Sequence, residues 1–468
     1  MRNTHLLMGD SVMIRKPGAL PNTPRIAAGR SSGVRNNCKI VLGGRLGAVV
    51  KVALLSVGIL LGVPTLAQSD WTQWRGANRD GSASLRAKSG GWPPQLVRLW
   101  EKEVGGGYSG PIVAGNHIWV HSREGDREVV SCLTLDEGEL LWRDGYEAQF
   151  QQDPSARAHG KGPYSTPALA DGRLFTLGIA SVLSAWDAET GALLWRRDYS
   201  SEFEANFPYF GASASPLVWE DSCYVHFGGH DRDKPENPGR GVMAALSVFD
   251  GSEKWRWNEE APALGASPIV CVIGGQPQLV FKTKDKIAGL DARTGRKLWQ
   301  VPFKVREDNT IVTPLVIGDQ ILTSDYQMGV CAWRIQSDRV SWTAKELWKN
   351  PRVSMFMSSP VLAGGQLVGF SHFRKRELFG LEPSDGKVLW RGEPRWGEHA
   401  SLISWGDDVL VFLEDGSLVV GTVSADRFQT LQRYHLGGST MWGHPAISDN
   451  RIVIRDGSRL AVFQLGDR

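Results

Sequence analysis

The chain has 468 residues, including 54 glycines and 19 tryptophans, with a formal net charge of +3. Its first 67 residues carry nine of the 53 basic and one of the 50 acidic residues, so the remainder holds 44 against 49 and a net charge of −5. That balance offers no clustered basic face and excludes a nucleic-acid surface. HExxH, GxSxG and Walker A patterns are absent as well, which removes the common zinc-protease, serine-hydrolase and P-loop chemistries.

In chain order, the first readable element is an apolar run at residues 52–63. Arg45 and Lys51 flank it, and Pro64, Thr65, Leu66 and Ala67 follow. A basic region, a short apolar stretch and a small-x-small site together read as a secretory signal peptide. The run is shorter than the ~20 apolar residues a membrane span needs. Residues 1–67 are therefore expected to be a leader with an over-called N-terminal extension, cleaved between Ala67 and Gln68. The mature protein is expected to be secreted or periplasmic, without a transmembrane anchor. No cysteine lies at the cleavage site, so no lipid anchor is expected.

Residues 68–95 form an aromatic and glycine-rich loop containing Trp71, Trp74, Arg75, Gly76, Asn78, Arg79 and Gly81. It reads as a plug packed on the body, the alternative being a binding surface.

From residue 96 onward the chain repeats itself. One marker is a small or hydroxyl residue, then proline, then an alternating strand, with prolines at 111, 167, 216, 268, 314, 360 and 445 and Leu402 in a degenerate copy. These starts are 42 to 56 residues apart. The second marker is a strand, an Asp/Gly turn and a strand ending in tryptophan, as in KIAGLDARTGRKLW (286–299) and SAWDAETGALLW (184–195). Asp bonds its own backbone in such turns and Gly tolerates positive φ. The terminal tryptophans are 100, 142, 195, 255, 299, 348 and 390, with Tyr434 as a degenerate eighth.

About four short strands per 40–50 residues predict an all-β chain, an eight-bladed β-propeller of four-stranded antiparallel blades spanning 96–468. Trp100 belongs to a terminal strand with no blade body before it, and the last copy lacks its own terminal strand. Residues 96–104 are therefore expected to close the ring by completing the last blade, as one monomeric unit. Cys132, Cys223, Cys271 and Cys331 fall in apolar strand-like runs of different repeats. They read as buried free thiols, with an inter-repeat disulfide left open by an oxidising compartment.

The S-S/T-P-x-V starts followed by L-D-A-x-T-G-x-x-L-W resemble the pyrroloquinoline-quinone (PQQ) repeat family over residues 96–465. The opening WTQWRGANRDG is similar to the start of secreted PQQ-like propellers common in planctomycetes. Members include quinoprotein alcohol dehydrogenases and the non-enzymatic, BamB-like assembly factors. The first group implies PQQ and calcium as cofactors of an alcohol or sugar dehydrogenase. The second implies a binding or scaffold role toward protein or cell-envelope partners. The dehydrogenases carry a vicinal Cys-Cys disulfide that this sequence lacks, and the chain is nearer BamB in size. The scaffold reading is therefore the main expectation, with the quinoprotein second and a carbohydrate-binding propeller third.

Loops preceding each first strand converge on a propeller channel, so their side chains are the candidate site. They are Tyr108, His159, Lys161, Tyr164, Tyr209, Arg306, Asp308, Asn309, Glu398, His399, Trp442 and His444. Such a ring of aromatic, histidine and charged groups suits a flat anionic ligand held by stacking and ion pairing. Asp231, Asp233 and Glu236 are close enough in sequence to suggest calcium but lack the EF-hand pattern. Residues 202–210 hold four aromatics in nine positions, a composition that must pack over the channel or meet a partner.

Overall fold

The computed structural model describes residues 70–83, 91–152, 154–202, 210–228, 241–259, 265–306, 311–372, 375–438 and 441–465. Within them the alternating segments form eight four-stranded antiparallel sheets. Blade 1 consists of Ile112–Ala114, His117–Glu124, Arg127–Thr134 and Leu140–Glu147. Blades 2 to 7 repeat that order, and their last strands begin at Leu193, Glu253, Lys297, Trp342, Val388 and Arg427. Second and third strands are buried on both faces because each sheet packs between two others, whereas last strands are half exposed.

Blade 8 is made from both ends of the chain. Ala446–Ser448, Arg451–Asp456 and Arg459–Gln464 are completed by Val97–Glu103, which pairs antiparallel with the third of them from Val97↔Gln464 to Glu103↔Arg459. The expected closure is present, and it removes two open sheet edges at once.

Every last strand carries one bulge at the same place. In blade 1, Cys132 pairs with Trp142 and Leu133 with Leu140, so Leu141 is the extra residue. In blade 8, Leu99 is skipped just before Trp100. A bulge re-aims the next side chain, and in seven blades that side chain is the repeated tryptophan. The residue paired with it is small: Cys132, Ala185, Ala245, Gly289, Ala332 and Gly380 in blades 1 to 6.

Five of these indoles reach the Asp/Gly turn of the following blade. Trp100, Trp142, Trp195, Trp255 and Trp348 donate Nε1–H to the carbonyls of Leu135, Ala188, Val248, Ala292 and Pro383 at 2.8 to 3.3 Å. Each ring lies over the turn glycine, so a Cβ on Gly251 would sit 2.5 Å from Trp195. Trp299 and Trp390 behave differently, because the next blades turn through Asp338 and Asp426 without a glycine. Their indoles fold back over Gly289 and Gly380 of their own blades and bond Gln278 and Gln366 at 2.7 Å.

Tyr434 is not the eighth equivalent. Its strand bulges at Leu431, so Gln432 holds the tryptophan register. The Tyr434 hydroxyl instead donates to the Pro93 carbonyl at 2.6 Å, ahead of the closing strand.

The serine or threonine before four of the repeat prolines has a structural task. Its hydroxyl accepts the backbone N–H of the preceding blade: Gly110 to Thr166, Thr166 to Ser215, Ser215 to Ser267 and Thr313 to Ser359, at 2.9 to 3.0 Å. This belt ties the inner strands around the channel. The four cysteines among the described residues are free thiols, three buried and Cys271 half-buried. Burial pushes the Cys132 thiol up to about 12 and the Cys331 thiol up to about 11.

The turn glycines give a controlled test. Gly251 and Gly318 both have positive φ, 66° and 62°, but a Cβ on Gly318 meets open space. Gly318→Ala should cost about 1 kcal/mol of backbone strain. Gly251→Ala should cost about 3 kcal/mol, because it must also displace the Trp195 ring. Denaturant midpoints of the two variants check the difference.

Candidate functional site

Residues 70–83 run through the ring and close it. Trp71 exchanges backbone hydrogen bonds with Val113 of blade 1 at 2.8 and 2.9 Å, and the Thr72 carbonyl accepts from Leu169 of blade 2 at 2.8 Å. The Trp74 indole donates to Thr313 Oγ1 of blade 5 at 2.9 Å. At the far end, Ser404 of blade 7 donates to the Gly81 carbonyl and accepts from Ala83. Trp71 and Trp74 both pack on His444 of blade 8.

Two arginines make this plug more than an apolar stopper. Arg75 and Arg79 are 0% and 2% exposed. Arg75 donates to the carbonyls of Asp80 and of Pro360 in blade 6. Arg79 donates to the carbonyls of Pro216 and Ser215 in blade 3 at 2.8 and 3.1 Å. Burial, partly offset by Asp80, lowers the Arg75 pKa to about 10. Burial, reinforced by Arg75, lowers that of Arg79 to about 9. Both stay charged at neutral pH, so their N–H groups satisfy carbonyls that the inner strand ends leave without a ladder partner.

Above the plug the loops enclose a cavity of about 290 Å³, with Trp74 among its lining residues. Tyr108, His159, Tyr164, Phe210 and Trp442 form its aromatic wall, with Glu398 also lining it. Tyr108 stacks with Tyr164 at 5.3 Å and with Trp442 at 5.7 Å between ring centroids. His159 meets Tyr108, Trp442 and Phe210 edge-on. Behind Trp442, the His399 ring stacks at 3.8 Å and 17°. His399 Nδ1 is 2.8 Å from Glu414, whose carboxyl is held below its ordinary range chiefly by that hydrogen bond. Burial, then nearby His399, lowers the His159 pKa, which keeps that ring neutral at pH 7.

The structure thus brings together Tyr108, His159, Tyr164, Glu398 and Trp442, with His399 supporting the wall and His444 buried under the plug. It does not bring the two cations in. Lys161 pairs with Asp126 at 3.5 Å, and Arg306 donates to Gln327 at 2.8 Å. Glu398 is itself bound by Arg376 at 2.8 Å. The expected ion-pairing half of an anion site is therefore missing among the described residues, because local partners claim those side chains. Tyr209, Asp308, Asn309, Asp231, Asp233 and Glu236 lie outside the described residues. Sequence reasoning missed Trp74, Ser213, Ile311 and Met357 as lining residues. Trp74 was visible as part of the plug, but Ile311 and Met357 carry no chemical signal at all.

A family model described as outer membrane protein assembly factor BamB matches residues 125–392. The chain belongs to this PQQ-repeat family. BamB of Shewanella oneidensis is 22% identical over 341 residues, covering 70% of this chain and 78% of its own. The crystal structure of BamB from Moraxella catarrhalis superposes with a TM-score of 0.56 at 15% identity, covering 80% of this chain and 98% of its own. The quinohemoprotein alcohol dehydrogenase of Comamonas testosteroni gives 0.57 at 14% identity, covering 86% and 82%. Likeness at that identity shows the propeller fold alone.

PQQ is a flat tricarboxylate, and the described lining offers it no lysine or arginine and one carboxylate. No group of three or more His, Cys, Asp or Glu among the described residues is placed to hold a metal ion. The described mouth does not fit PQQ with calcium, and no redox step is assigned to it.

Two buried histidines make stability depend on pH. Burial lowers the pKa values of His226 and His444 to about 3, with Arg75 adding to the effect at His444. Both are neutral when folded and protonate when unfolded, so acid favours the unfolded chain. Their contribution is whole above the ordinary histidine value of about 6.5 and is lost as pH falls from there toward 3. At pH 4.5 each should cost about 2–3 kcal/mol. His226→Leu should flatten the loss of thermal midpoint between pH 7 and 4.5 relative to the unaltered chain, as scanning calorimetry can measure.

Proposed function

We propose that the protein is a BamB-like binding module for protein partners of the cell envelope, with the aromatic mouth as its recognition site. The observation that carries this reading is the plug: residues 70–83 bond or pack against seven of the eight blades and put Trp74 where a channel would continue. What remains is an aromatic cavity at the mouth, floored by the plug, which suits recognition more than the deep burial of a cofactor. Aromatic side chains supply large contact area at low entropic cost, and they dominate binding hot spots.

The proposed organisation is a leader at 1–67 removed between Ala67 and Gln68, a plug segment within 68–95, and a monomeric propeller over 96–468 in the periplasm or outside the cell. In support, no helix among the described residues is long and apolar enough to cross a membrane, and the matched relatives are named for outer-membrane assembly.

A photo-crosslinking residue at position 398, on the rim, should trap an envelope protein in intact cells. The same residue at position 340, in an exposed outer turn of blade 5, should not. Equal trapping from both positions would remove the mouth as the docking site. Titration with PQQ and Ca²⁺ should leave the thermal midpoint unmoved. A calcium-dependent rise would instead restore the dehydrogenase reading, since a ligand that binds only the folded state raises its apparent stability.

A further inference from the structure

We infer that the mouth cavity is a socket for one uncharged, apolar side chain of a partner polypeptide, with about the bulk of an indole. This deepens the reading of the mouth as a recognition site and rests on it. The cavity measures about 290 Å³, and an apolar cavity of about 150 Å³ is enough to hold benzene. It therefore has room for a group of about two fused rings. The aromatic wall is occupied with itself: Tyr108 stacks on Tyr164 and on Trp442, and Trp442 stacks on His399. What the lining offers an occupant is carbon surface, from these rings and from Phe210, Ile311 and Met357.

Most polar groups of the described lining are already engaged. The Trp74 indole donates to Thr313, and the Tyr164 hydroxyl donates to the Gly160 carbonyl at 2.5 Å. The Ser215 and Ser267 hydroxyls accept the backbone N–H groups of Thr166 and Ser215. Arg376 neutralises Glu398 at 2.8 Å, and His159 is neutral at pH 7, held so by burial and by His399. A charged or strongly hydrogen-bonding ligand would give up its water here for little return. An apolar group gives up only unfavourable hydration. The surroundings indicate how that group arrives. Around the cavity the loops carry exposed polar pairs, Arg376 with Glu398, Lys161 with Asp126 and Arg306 with Gln327. An apolar centre within a polar, wetted rim is the anatomy of a protein-docking hot spot, where one large side chain is buried and the rim keeps water from it. A free solute of that size would fill the centre and leave the rim unused.

Isothermal titration of the full mature chain tests this with Nα-acetyl-tryptophan amide, its leucine, lysine and glutamate counterparts, and free indole. The tryptophan amide should saturate with a negative heat-capacity change, the mark of buried apolar surface. The leucine amide should bind about threefold more weakly or worse, and the lysine and glutamate amides about tenfold more weakly or not at all. Indole within about tenfold of the capped tryptophan assigns the site to a side chain; indole tighter than that overturns the inference in favour of a free apolar solute. Ser213 lines the cavity, so Ser213→Phe should fill it and abolish binding of the tryptophan amide. Ile311→Asn, which sets an amide in the wall, should weaken that binding by about threefold or more. It reports on the socket even if the Ser213 variant folds poorly. A leucine, lysine or glutamate amide that matches the tryptophan amide overturns the inference. So does an unchanged affinity in either folded variant, or no saturation by the tryptophan amide at about 10 mM. Crosslinking from position 398 is unaffected by those outcomes, so failure of the socket and failure of the recognition role are distinguishable.

Discussion

The ring depends on one repeated contact, an indole laid over a turn glycine of the next blade with its N–H on a turn carbonyl. A sheet buried on both faces has no edge on which to stop sliding, and apolar packing alone is non-directional. The indole supplies direction. It holds two neighbouring sheets in register, because the bulge before it and the small residue opposite it leave one place for the ring. Where the next turn lacks glycine, as after Trp299 and Trp390, the indole retreats to a glutamine in its own blade. Those two blade junctions are held by other means. Between blades 4 and 5 a buried ion pair, Lys282 with Asp325 at 2.9 Å, crosses the seam. Removing one partner of such a pair leaves an uncompensated charge, so the pair specifies the junction more than it strengthens it.

The same logic of satisfaction governs the axis. Inner strands end in carbonyls and amides that face one another across a narrow channel, where no further strand can pair with them. Hydroxyls before the prolines take amides, and Arg75 and Arg79 take carbonyls. Arg455, also buried, donates to the carbonyls of Ser109, His121 and Gly105 across the seam between blades 8 and 1. Guanidinium suits this work because it presents several donors in a fixed plane and remains charged. The plug is therefore part of the fold's hydrogen bonding, and the mouth cavity exists because the plug gives it a floor.

Function follows from that floor. A propeller axis that continues inward can hold a cofactor deep between the blades, whereas one closed at Trp74 leaves a rim site whose chemistry is set by loops. The shared propeller of assembly factors and dehydrogenases is thus compatible with different uses, and the residues around the axis decide between them.

Much of this is legible in the sequence alone. The period of the proline starts and the terminal tryptophans determined eight blades, and the orphan strand around Trp100 determined how the ring closes. Five of the mouth residues were also visible, because loops that precede inner strands must converge on the axis. Three things belonged to tertiary structure. Tyr434 matched the tryptophans in spacing, yet a bulge one turn of the pleat earlier moved it out of register, and a bulge has no sequence signature of its own. Lys161 and Arg306 matched an anion site in composition, but Asp126 and Gln327, brought near by neighbouring turns, take up their side chains instead. The burial of the plug's two arginines had no local signal, since the carbonyls of Pro360, Pro216 and Ser215 that hold them come from parts of the chain more than a hundred residues away. Local spacing determines which elements form; which side chain faces which depends on contacts across the ring, and only the closed ring supplies those.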